Sequence, residues 1–252
     1  MIDGHNDLPW AMRQLYDGDL DRANLAQSMP QLHTDIPRLR AGGVSGQFWS
    51  VFVPAEMSGG AAVSATLEQI DFVYRMLARY PDVFALARTA EDVERAQAEG
   101  RIASLLGMEG GHCIDNSLGV LRMMHALGVR YLTLAHNRNV EWVDSATDRP
   151  LLGGLSRFGE DVVAEMNRLG MLVDLSHVSA DAMRHTLRVC AAPVVFSHSG
   201  ARAIADVPRN VPDDVLESLS RNDGVCMVPF VPELISEAVA RRHEDGTSRS
   251  GV

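Results

Sequence analysis

Five residues in this chain stand at or just beyond the end of a short apolar run: His5, Glu109, His136, His177 and His198. Asp7 follows His5 by two positions. Imidazole nitrogens and carboxylate oxygens are the ligands of a hard-to-intermediate divalent metal, Zn²⁺ first, with Mn²⁺, Co²⁺ and Fe²⁺ as alternatives. On an extended strand, His5 and Asp7 would point to the same face, because side chains alternate with a period of two. Each residue taken singly has a plainer reading. A histidine after an apolar run is more often packed or hydrogen-bonded than a ligand, and a glutamate ahead of Gly110-Gly111 can cap a helix. Recurrence at the same place in successive elements favours a metal centre.

Those elements follow from the hydropathy pattern. Uninterrupted apolar runs at Met1–Gly4, Gly46–Val53, Ile102–Met108, Arg130–Leu134, Met171–Leu175, Pro193–Phe196 and Val225–Val228 predict seven parallel strands buried on both faces. Helices are punctuated between them. Thr34-Asp35-Ile36-Pro37 reads as an N-cap with proline in the first turn, closed at Gly42-Gly43. Leu67, Ile70, Tyr74 and Leu77 recur at helical spacing before Pro81. Thr89 and Asp92 form a capping-box pattern, with Gly100 as the stop. Phe158, Val162, Met166 and Leu169 form a stripe that Gly170 ends, and Asp213 and Asp214 open a helix carrying Val215, Leu216 and Leu219. Strand alternating with helix predicts an α/β fold, either a closed (β/α)8 TIM-type barrel or an open doubly wound sheet. No Gly-x-Gly-x-x-Gly follows a strand, which argues against a dinucleotide fold. In a barrel, the loops after the strands build one rim, where all six candidate residues would gather.

The chain has 252 residues, a size that fits one large domain. Its 23 Lys+Arg against 33 Asp+Glu give a net charge of −10, which disfavours nucleic-acid and anionic-membrane partners. Cys113, Cys190 and Cys226 are odd in number and lack C-x-x-C spacing, so they read as reduced thiols of an intracellular protein. No leader precedes His5 and no apolar run is long enough to span a bilayer, so the expectation is a cytoplasmic protein. Met123-Met124 reads as core filling.

The motifs His5-Asn6-Asp7-Leu8-Pro9-Trp10, Gly46-Gln47-Phe48-Trp49-Ser50, Glu109-Gly110-Gly111-His112, Leu132-Thr133-Leu134-Ala135-His136-Asn137, Asp174-Leu175-Ser176-His177, Phe196-Ser197-His198-Ser199 and Arg209-Asn210-Val211-Pro212-Asp213-Asp214 occur in this order. As a set they resemble the membrane (renal-type) dipeptidase family of dizinc peptidases, related to the metal-dependent amidohydrolases. The resemblance implies a (β/α)8 barrel and hydrolysis of dipeptides by a hydroxide held between two Zn²⁺. It implies that His5 and Asp7 bind one zinc, that His177 and His198 bind the other, and that Glu109 bridges them. His136 would contact the substrate carbonyl and stabilise the oxyanion, and Arg209 would grip the C-terminal carboxylate of the dipeptide. His136 as a packing residue and Arg209 as a surface arginine are the plainer alternatives. Asp144 and His112 would support the site without chemistry of their own.

The family pattern continues past the seventh strand to a Gly-x-Asp-Phe-Asp-Gly motif whose aspartate handles the leaving-group proton. No such motif occurs in Glu233–Val252, and Asp245 is a poor substitute. The expectation is therefore a barrel over residues 1–240 truncated after its seventh strand, a disordered tail over 241–252, open edges that invite homo-oligomers, and slowed turnover. Two other readings stand beside the dipeptidase: an amidohydrolase on another small amide, and a metal-binding remnant without activity.

Overall fold

The computed structural model describes residues 1–244, and the chain divides into two compact units, Met1–Leu132 and the part from Thr133 onward. In the first unit, β1 (Ile2–Asn6), β2 (Gly46–Phe52), β4 (Ile102–Glu109) and β5 (Val129–Thr133, whose last residue opens the second unit) lie side by side in that order, and β3 (Phe84–Leu86) also pairs with β4. β2 and β4 run parallel in unbroken register from Gly46–Ala103 to Phe52–Glu109, so the end of β4 delivers Glu109 at a fixed height. Every residue of β4 is buried, as its unbroken hydrophobicity requires.

The helices of this unit are α1 (Leu8–Tyr16), α2 (Ile36–Ala41), α3 (Gly59–Arg79), α4 (Ala90–Ala98) and α5 (Leu118–Ala126), with a 3₁₀ turn at Gly111–Ile114. α2 starts where expected: the Asp35 side chain accepts the N–H of Arg38, and Pro37 sits in the first turn. The Thr89–Asp92 capping box is complete in both directions. α3 buries Ile70, Val73, Met76 and Leu77 in the core, while Leu67 faces solvent. Met124 is buried and Met123 is exposed, so only one of the methionine pair fills the core.

In the second unit, β6 (Leu172–Asp174), β7 (Val195–Phe196) and β8 (Val225–Cys226) are parallel neighbours in sequence order, pairing Asp174 with Val195 and Phe196 with Cys226. The helices are α6 (Arg157–Leu169), α7 (Ala180–Val189), α8 (Asp213–Arg221), α9 (Pro232–Ile235) and α10 (Glu237–Glu244). α6 buries Val162 and Met166 and ends at Gly170, whose φ of +70° is the left-handed cap that glycine adopts without a Cβ penalty.

Three expectations need correcting. Eight strands are present among the described residues, the seven expected and β3. That strand is three residues long, too short to show a period in the sequence. β8 is not buried on both faces, since Val225 is 53% exposed. Finally, α10 runs through residues 241–244, within the stretch expected to be disordered; residues 245–252, including Asp245, lie outside the described residues. No helix among the described residues is long and apolar enough to cross a membrane.

Candidate metal centre

β1 ends at Asn6, and Asp7 is the N-cap residue of α1 with φ −85° and ψ 17°. The alternation argument therefore does not apply to this pair. A break in the β1–β2 register between Asp3 and Asn6 and the turn into α1 bring Asp7 to His5 instead, with His5 Nε2 at 3.2 Å from Asp7 Oδ1. Glu109, buried at the end of β4, places Oε2 3.5 Å from the same nitrogen. The opposite ring nitrogen is already committed. The Tyr131 hydroxyl lies 3.2 Å from the Gly4 carbonyl, which can only accept, and 3.0 Å from His5 Nδ1; with its proton on the carbonyl it accepts from Nδ1–H. In the neutral ring, Nε2 then turns a lone pair toward two carboxylate oxygens. Three acceptors converging in this way favour a positive charge between them.

The second unit builds a matching group of imidazoles. His177 follows β6 in the left-handed region at φ +69°, a strain on the order of 1 kcal/mol for a residue other than glycine, and of a kind that clusters at functional sites. Its Nδ1 meets the Asn137 amide oxygen at 3.2 Å and its Nε2 meets His198 Nε2 at 3.0 Å. His177 and His198 are both buried. The His136 ring lies 4.3 Å, centroid to centroid, from that of His177, within ligating reach of it. A proton can satisfy one pair of facing acceptors. Taken unit by unit, the imidazole facing two carboxylates in the first and the paired buried imidazoles in the second are each donors that a divalent metal takes, and the residues present fit such an ion.

Arg209 is half-buried in the loop from β7 to α8. Its neighbour Asn210 is fully buried, accepts the N–H of Gly200 and donates to the carbonyls of Ala205 and Leu234, which pins the backbone that carries the guanidinium. Asp144 accepts the N–H groups of Leu151, Leu152 and Gly153 and so shapes the loop that follows His136. The ring of His112 bonds the Val53 carbonyl. Tyr131, Asn137, Asp174 and Ser197 were not singled out in the sequence. Three of them lie inside motifs whose histidines were, which was the available signal.

The family model described as membrane dipeptidase (peptidase family M19) matches residues 1–249. This chain belongs to that family. Among curated relatives, it is 45% identical to dipeptidase 3 of Mus musculus over 233 residues, which cover 90% of this chain and 46% of the mouse protein. It is 43% identical to dipeptidase verJ of Clonostachys rogersoniana over 242 residues, covering 92% of this chain and 62% of that one. The chain thus spans about half to under two thirds of the length of these relatives. Among solved structures, it superposes on a metallo peptidase from Rhodobacter sphaeroides, liganded with a phosphinate mimic of the dipeptide L-Ala-D-Ala, with a TM-score of 0.83 at 24% identity, covering 98% of this chain and 81% of that one. A second, the metallo peptidase dipeptidase AC, gives 0.83 at 25% identity over 98% of this chain and 79% of its own. The α/β fold expected from the sequence is the fold of these proteins.

Proposed function

We propose that this chain is a zinc-dependent dipeptidase that hydrolyses the peptide bond of dipeptides bearing a free C-terminal carboxylate. The observation that carries the reading is the commitment of His5 Nδ1 to Tyr131, which leaves Nε2 facing Asp7 and Glu109. Following the family pattern, His5, Asp7 and Glu109 would hold one ion, and His177 and His198 would hold another. Two such ions, when bound, polarise the scissile carbonyl and make a nucleophile from water at neutral pH. The chain's own residues do the rest. His136 donates to the substrate carbonyl and stabilises the oxyanion as it develops. Arg209 takes the C-terminal carboxylate in a bidentate grip, which sets the substrate's register and selects dipeptides over longer chains.

The test is metal-depleted protein reloaded with zinc and offered L-Xaa–L-Xaa and L-Xaa–D-Xaa dipeptides. Hydrolysis that stops on chelation, with two zinc ions per chain, is the expected result. Zinc uptake without turnover would replace the reading with a metal-binding protein lacking activity, and preference for cyclic amides or N-acyl amino acids would make it another amidohydrolase. Arg209→Ala should raise KM for dipeptides about 10- to 100-fold, the worth of a charged hydrogen bond of roughly 1.5–3 kcal/mol. It should leave C-terminally amidated dipeptides unaffected.

A further inference from the structure

His198 is held from behind by a chain of hydrogen bonds that ends on a buried carboxylate. Asp174, at the end of β6, is fully buried. It receives the Thr133 hydroxyl at 2.5 Å and the Ser197 hydroxyl at 2.6 Å on Oδ2. It receives the N–H groups of Ser197 at 2.8 Å and Ser176 at 3.1 Å on Oδ1. All four partners are donors, so the carboxylate acts only as an acceptor. Ser197 has a single hydroxyl proton. Its contact with Ser176 Oγ is 3.4 Å long, so the 2.6 Å bond to Asp174 takes the proton. The same oxygen lies 2.7 Å from His198 Nδ1 and has only lone pairs left to offer there. His198 Nδ1 must therefore donate, and the neutral ring presents an unprotonated Nε2. The backbone is fixed as well, because the His198 N–H donates to Ser176 Oγ at 3.0 Å.

We propose that Asp174 is a positioning residue which, through the Ser197 hydroxyl, sets the tautomer of His198 and so turns the Nε2 lone pair, rather than an N–H, toward His177 Nε2 at 3.0 Å, where a divalent cation would bind. A histidine ligand commonly donates its second N–H straight to a carboxylate or carbonyl. Here a serine is interposed, so the direction of one hydroxyl proton decides whether the imidazole can bind metal. The inference rests on the metal reading given above, but it makes a claim about the metal-free ring that can be judged separately.

The closing experiment uses the full chain with ¹⁵N-labelled histidine. Ring-nitrogen spectra are recorded on metal-free protein at about pH 8, where an ordinary imidazole is neutral, and zinc affinity is measured by competition with a chromophoric chelator. Wild type should show His198 as the Nδ1–H tautomer. Asp174→Asn is nearly isosteric and sharpens the test. Its Oδ1 still accepts the two backbone N–H groups, while its NH₂ now faces the two hydroxyls. Ser197 then accepts from Asn and donates to His198 Nδ1, so the ring should switch to Nε2–H and lose its place as a ligand. Zinc affinity at one site should fall about 10- to 100-fold, the usual effect of removing such a partner. Ser197→Ala, which leaves three donors on Asp174, should give mixed tautomers and a similar loss, and Ser197→Thr should restore both. If Asp174→Asn does not fold, the serine pair decides alone. Retention of the Nδ1–H tautomer with unchanged zinc affinity in Ser197→Ala overturns the proposal. Wild type that takes up no zinc removes the metal reading, and the tautomers of Ser197→Ala and Ser197→Thr still decide the relay.

Discussion

Tyr131 has one hydroxyl proton, and the direction in which that proton points determines what His5 can bind. Directed to the Gly4 carbonyl, it leaves His5 Nε2 facing Asp7 and Glu109, where the proposed ion would bind. Tyr131→Phe should keep the fold, since the ring and its packing remain, but lower zinc affinity about 10- to 100-fold in a chelator competition. An unchanged affinity would mean that the hydroxyl does not orient the ligand. The ring itself depends on a glycine. A Cβ on Gly107 would lie 2.0 Å from Tyr131 Cζ, closer than any real contact. Gly107→Ala should cost about 1–3 kcal/mol of stability through overpacking, read as a lower denaturation midpoint, and should weaken zinc binding as well. The cysteines contrast with these residues. Burial pushes the Cys113 thiol up to about 12 and that of Cys226 up to about 11, so neither forms a thiolate near neutral pH, and neither should be alkylated in the native protein. The candidate histidines are visible in the sequence by type and position. Tyr131 was not, because a tyrosine in an apolar run reads as an ordinary strand residue, and its partner Gly4 lies far away along the chain.

Helix ends were the most legible elements, because capping is decided within four residues. Asp35 accepts the N–H groups of Met29 and Arg38 and the guanidinium of Arg38, all at 2.8–2.9 Å. Burial acts to raise its pKa, but the Arg38 side chain and the two backbone N–H groups together outweigh it and hold the carboxyl below its ordinary range. A carboxyl with a depressed folded pKa contributes stability above its unfolded value of 3.8, and that contribution is lost as pH falls through the folded value. Asp35→Ala should therefore destabilise by about 2 kcal/mol at neutral pH, with the difference from wild type shrinking as pH drops below about 4 in denaturant titrations. A gap that stays constant with pH would show that the cap acts without its charge. Strands were harder to read. β3 was too short to register, and β1 stops one residue before Asp7, so the His-x-Asp spacing was right about proximity and wrong about its cause. A turn and a register break join those two side chains, and neither leaves a mark in the hydropathy pattern.

For the whole molecule, ligands held ready in the folded chain and scattered in the unfolded one make metal binding a contribution to stability. Free zinc at about one hundred times its Kd should stabilise by about 2.7 kcal/mol, raising Tm by roughly 5–10 °C for a chain of this size. A melting curve that ignores both zinc and chelator would contradict the proposed centre. By itself, the sequence determined the α/β alternation, the helix caps at Asp35 and Thr89, and the membership of the family, and it marked the candidate histidine and carboxylate ligands. All of these depend on residue type and on separations of a few positions. Only the tertiary structure decided which nitrogen of each histidine is available. That choice belongs to Tyr131 for His5, Asn137 for His177, and Ser197 with Asp174 for His198. Each operates through a hydrogen bond of about 3 Å, whose direction at Tyr131 and Ser197 depends on where a second partner sits and at Asn137 on the amide oxygen, and except at His198, whose Ser197 is its neighbour in the chain, the partners are brought together only by folding. Periodicity reports which side of an element is buried; it does not report the direction of a proton.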